Sequence, residues 1–84
     1  MTFAKRLGQN VVAARKRAGL SQEDLFFRSE VHRTVISKVE RGESIPRADT
    51  LAKLAGGLGV DPGELFAGLA WQPGEPRAMG RFPL

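Results

Sequence analysis

Leu20-Ser21-Gln22-Glu23-Asp24-Leu25, then Val31-His32-Arg33-Thr34-Val35-Ile36-Ser37-Lys38-Val39-Glu40-Arg41-Gly42, holds two short apolar stripes separated by a turn. Ser21 offers an N-cap oxygen, and Glu23 and Asp24 put negative charge in a first helical turn, where the helix dipole favours it. Leu25 and Phe26 supply the apolar stripe of a short helix that runs to Ser29. A turn through Glu30 and Val31 leads to a second helix over 33–41, with Val35, Ile36 and Val39 on its inward side and Gly42 as its stop. The other side carries Arg33, Thr34, Ser37, Lys38 and Arg41, which at helical spacing form one contiguous outward face. Two short helices joined by a tight turn can present such a face to a DNA major groove. The residue types suit base edges, because Arg or Lys bonds guanine O6 and N7 and a Thr methyl can touch the thymine methyl.

Working outward, Phe3, Leu7, Val11 and Ala14 recur at helical spacing, so a first helix is expected over 3–18 with Gly19 as its left-handed cap. Pro46 keeps the residues before it out of a continuous helix, and Leu51, Leu54, Ala55 and Leu58 mark a fourth helix ending at Gly59. Gly56 and Gly57 weaken its last turn by up to ~1 kcal/mol each relative to Ala. Asp61-Pro62-Gly63-Glu64 combines an N-cap acid, a proline at the first helical position and a capping-box glutamate, the start of a fifth helix carrying Leu65, Phe66 and Leu69. After Ala70 the chain turns to Trp71-Gln72-Pro73-Gly74-Glu75-Pro76 and stays rich in proline and glycine to Pro83. The sequence therefore predicts an all-α, compact five-helix bundle over 1–70 and an extended tail over 71–84, a possible dimerisation or partner segment.

The chain has 84 residues, enough for one core. A core of this size supplies only about 3 to 5 kcal/mol unless a disulfide, a metal or a partner subunit adds to it. With no cysteine and a single histidine, the partner subunit is the expected supplement. Thirteen basic residues against nine acidic ones give a formal charge of +4, which favours an anionic partner. The acids are spread among the bases, so contact with a nucleic acid has to come from a local patch. No export signal and no membrane-length apolar run is visible, and a cytoplasmic protein is expected.

Residues from about 3 to 66 resemble the Cro and phage-repressor helix-turn-helix family. The marks are Leu20-Ser21-Gln22-Glu23, Val31 and Ile36, Val39-Glu40-Arg41-Gly42, Pro46, Leu51, Ala55, and Leu58-Gly59-Val60 before Leu65-Phe66. The resemblance implies that Arg33, Thr34, Ser37 and Lys38 read bases and that Gln22, His32 and Arg41 hold phosphates. It also implies an ion pair between Arg15 and Glu40. His32-Arg33-Thr34 with Glu40-Arg41-Gly42 is similar to the small controller proteins of restriction-modification systems. Two positions depart from the family: Phe26 stands where relatives carry alanine, and Glu30 where they carry glycine. Both lie at the tightest point of the motif, and both bear on the angle between the two helices.

The resemblance implies a homodimeric transcriptional regulator that binds double-stranded DNA at a palindromic operator. The alternative is an antitoxin-like or adaptor protein whose main partner is a polypeptide. No enzyme activity, cofactor, metal or small-molecule effector is expected. Ser21 has no base or oxyanion site beside it, and His32 has no second ligand nearby. Trp71, with Leu65 and Leu69, has two readings, as cover for the chain's own core or as part of a dimer interface.

Overall fold

The computed structural model describes residues 1–84 as four α-helices and one 3-10 helix: α1 (Phe3–Arg17), α2 (Gln22–Ser29), α3 (Arg33–Glu40), α4 (Ala48–Leu58) and a 3-10 turn at Pro62–Phe66. Each boundary has a local cause. Thr2 caps α1 by accepting from the Lys5 N–H, and Ser21 and Asp24 close a reciprocal capping box on α2. Gly59 adopts φ 72° at the end of α4, where a Cβ would be strained.

The core lies where α1 packs across α3 and α2 packs against α4. Leu7, Val11, Leu25, Ile36, Val39, Leu54 and Leu65 are its fully buried side chains. Two glycines set how closely these pairs approach. A Cβ on Gly8 would collide with the carbonyl oxygens of Val39 and Glu40, so α1 and α3 meet backbone to backbone. A Cβ on Gly57 would lie 2.9 Å from Cβ of Ser29 and 3.0 Å from Cδ1 of Leu25, and its carbonyl accepts from Arg28 Nε at 2.7 Å. Gly57 is thus a packing residue between α4 and α2, and its missing side chain has a use beyond the propensity cost expected of it.

Three expectations need correction, and two leucines take one of their two readings. The fifth helix is a 3-10 turn of five residues, because Asp61 Oδ1 accepts from the Gly63 N–H at 2.8 Å and Glu64 N–H bonds to the Asp61 carbonyl, which winds the chain too tightly for α geometry. Val35 is 38% exposed and lies outside the core. Of their two readings, Leu65 and Leu69 take that of the chain's own core, in which both are buried, whereas Trp71 is 56% exposed. Nor does the tail simply run extended. Gln72 and Arg81 exchange backbone bonds of 2.7 and 2.8 Å as an antiparallel bridge, and Phe82 packs on Trp71 and on Phe3 with ring centroids 5.1 and 4.8 Å apart. Leu84 then rests against the core.

The two unusual residues of the motif are accommodated differently. Phe26 is half-buried against the core, with its ring tilted over His32 at 5.5 Å. Glu30 takes the left-handed conformation at φ 60°, ψ 23°, as the C-cap of α2. A non-glycine residue there costs about 1–2 kcal/mol, against about 0.5–1 kcal/mol of extra unfolded-state entropy for glycine. Glu30→Gly is therefore expected to stabilise the protein by about 0.5–1 kcal/mol in reversible thermal denaturation.

Candidate nucleic-acid interface

Glu40 ends α3 with its side chain 5% exposed, and a carboxylate withdrawn that far from water needs donors. It has three. Arg15 of α1 donates Nε to Oε2 at 2.7 Å and Nη2 to Oε1 at 3.0 Å, and Gln22 at the start of α2 donates Nε2 to Oε1 at 2.9 Å. The third guanidinium nitrogen, Nη1, bonds the Leu20 carbonyl in the α1–α2 turn at 2.9 Å. One carboxylate thus fixes the end of α3 relative to α1 and to the first residue of α2. The paired carboxylate raises the Arg15 pKa further above its already high ordinary value, against the opposing pull of burial. Removing one partner of a buried pair strands the other charge, at a cost of about 3–5 kcal/mol. Glu40→Ala is expected to lose about 3 kcal/mol in urea unfolding, since Arg15 would be left with its side chain only 14% exposed.

The face that this network holds in place is open and polar. Gln22, His32, Arg33, Thr34, Ser37 and Arg41 surround a shallow depression of about 380 Å3 with no hydrophobic residue in its lining. His32 is the N-cap of α3: its Nδ1 accepts from the Thr34 N–H at 3.0 Å, which puts the ring proton on Nε2. That N–H is left as an outward donor. Gln22 gives Glu40 one of its two amide protons, and the other remains for a ligand. Arg33 lies 3.5 Å from Glu23 with both side chains more than half exposed, a pairing worth little in water and easily exchanged for a stronger acceptor.

Arg41 is more firmly engaged, donating to Ser37 Oγ at 2.6 Å and to Glu43 at 2.8 Å. That hydrogen bond raises the Arg41 pKa and lowers that of Glu43. Ser37 and Arg41 are therefore coupled to each other, and Glu43 competes with any anion for Arg41. Lys38 is exposed and stands outside the depression, on the flank of α3 where Val35 also emerges. Sequence reasoning did not find Asn10, whose amide donates to the Leu65 and Ala67 carbonyls at 2.9 Å and ties the 3-10 turn to α1. No group of three His, Cys, Asp or Glu side chains gathers anywhere to hold a metal, and no helix is long and apolar enough to cross a membrane.

The start of α2, which carries Gln22, is itself pH-sensitive. Hydrogen bonds from the Ser21 backbone and side chain hold the Asp24 carboxyl below its ordinary value of 3.8. A carboxyl with a lowered folded pKa stabilises the protein fully above its unfolded pKa, and that contribution is lost as pH falls through the folded value. Between about pH 5 and pH 2, Asp24→Asn is expected to flatten the loss of stability measured by urea unfolding at each pH.

The chain is similar to several known proteins. A helix-turn-helix family matches residues 11–65. The control protein C.BamHI of Bacillus amyloliquefaciens is 41% identical over 60 residues, covering 70% of this chain and 74% of the relative. An uncharacterised helix-turn-helix transcriptional regulator, y4dJ of Sinorhizobium fredii, is 38% identical over 65 residues, covering 77% and 84%. Among solved structures, the restriction-modification controller protein C.AhdI from Aeromonas hydrophila superposes with a TM-score of 0.72 at 38% identity, over 75% of this chain and 96% of that one.

Proposed function

Because the chain belongs to the Cro/C1-type helix-turn-helix family of transcriptional regulators, we propose that it binds a palindromic operator as a homodimer, with α3 of each copy in the major groove. The observation that carries this reading is the all-polar depression over α3, whose unspent donors on Gln22, His32 and Arg33 face outward together. In this arrangement Arg33, Thr34 and Lys38 read bases. Gln22 and the His32 Nε2–H hold phosphates at the groove edge, with Arg41 joining them once it exchanges Glu43 for the DNA backbone. The controller relatives C.BamHI and C.AhdI extend the proposal to control of a restriction-modification system.

Leu65 and Leu69 are spent on the core, so the second copy has to dock elsewhere. An apolar groove of about 350 Å3 runs between α1, the α3–α4 loop and the 3-10 turn, lined by Phe3, Leu7, Ile45, Pro46, Leu51 and Phe66 among others. Ile45 is 59% and Phe66 43% exposed at its rim. A chain with one small core and no covalent staple gains most by covering this surface with a copy of itself. Reading successive major grooves requires the two copies of α3 to lie about 34–36 Å apart, one helical turn of DNA.

In vitro selection from random duplexes at near-physiological salt tests the reading. The wild-type protein is expected to return a palindrome. A variant with Arg33→Ala and Lys38→Ala is expected to lose it, each good bidentate contact being worth about 1–3 kcal/mol. No enrichment by either protein would transfer the reading to a protein partner.

A further inference from the structure

Val35 is the one apolar side chain that emerges on the exposed part of α3, at 38% exposure, while its neighbours in sequence divide cleanly into buried Ile36 and Val39 and exposed polar Arg33, Thr34 and Lys38. At 100° per residue it lies on the flank of the polar face, next to Lys38 at i+3 and His32 at i−3. It is outside the core cluster, so the fold does not depend on its methyls. A valine side chain is β-branched and stiff at χ1, so fixing it against a ligand costs little rotamer entropy. The major-groove floor presents one apolar group, the C5-methyl of thymine, and every other feature there is a hydrogen-bond donor or acceptor.

We propose that Val35 is a specificity-determining residue that packs its γ-methyls on a thymine C5-methyl in each operator half-site, an inference that rests on α3 being the recognition helix. The pair it contacts is T·A. It is set beside the base approached by Lys38, which leaves the same flank of the helix three residues on. Cytosine at that position would present no methyl, and adenine or guanine would present polar edges to a side chain that has nothing to offer them.

The test uses the full-length protein and its selected operator, with each thymine replaced in turn by uracil so that only the methyl group is removed. Wild-type affinity is expected to fall about fourfold at one thymine per half-site, the value of burying one methyl-sized group. Val35→Ala is expected to bind the unmodified operator more weakly and to be indifferent to uracil at that position. Thr34→Ser, which removes the other methyl on this face, should keep the wild-type sensitivity there. Circular dichroism should show both variants folded, since neither residue is in the core.

The proposal is overturned if no thymine is sensitive, if Val35→Ala keeps the sensitivity, or if Thr34→Ser abolishes it instead. A wild-type protein that selects no operator would remove the recognition-helix reading and this inference with it. Specific binding with no methyl dependence would remove this inference alone.

Discussion

The Glu40 carboxylate is the point on which the arrangement of the motif depends. It sits at the end of α3, where the helix dipole disfavours a negative charge, and it is nearly withdrawn from solvent. Both disadvantages are offset because Arg15 and Gln22 supply three hydrogen bonds from two other helices, and no buried side-chain polar atom in the protein lacks a partner. A carboxylate satisfied by groups on α1 and α2 can do so in only one relative placement of three helices. The same bonds therefore that make the buried charge tolerable also fix the direction in which Arg33, Thr34 and Lys38 project. Gln22 links the two roles most closely, since one amide proton holds the scaffold and the second faces the open depression.

Around this polar anchor the apolar packing is close. Gly8 lets the α1 backbone touch the last turn of α3, beside the Arg15–Glu40 pair, and Gly57 lets α4 approach α2. Phe3 works in two directions. One side of the N-terminal turn of α1 meets Phe66 and lines the apolar groove, while its ring also supports Phe82 of the tail. The tail and the proposed dimer groove thus share an aromatic wall at Phe3.

How much of this the sequence discloses depends on how local each cause is. The four α-helices are legible because their caps and apolar stripes lie within a few residues of one another, as in Ser21 with Asp24 or Leu7 with Val11. The polar face of α3 is legible for the same reason, since helical spacing alone brings Arg33, Thr34, Ser37 and Arg41 together, with Lys38 left on the flank. What fails is what requires knowledge of a distant partner or a choice between two local bonds. Asp61 caps a turn in either geometry, and its bond to Gly63 selects the 3-10 form. Val35 fits the apolar period of α3, yet the helices against that flank leave it uncovered. The tail reads as extended because its fold comes from Phe82 meeting Phe3, at the other end of the chain. Asn10 carries no pattern at all, and only the fold brings the carbonyls of Leu65 and Ala67 to its amide.

Backbone amide chemical-shift mapping during titration with a duplex carrying the selected operator would show whether the face of α3 held by Glu40 is the surface that meets DNA. The largest perturbations are expected on Gln22 and on residues 32–41, with the buried positions of α1 and α4 little changed. Perturbations centred on the tail hairpin over 71–84, with the amides of α3 unmoved, would contradict that reading.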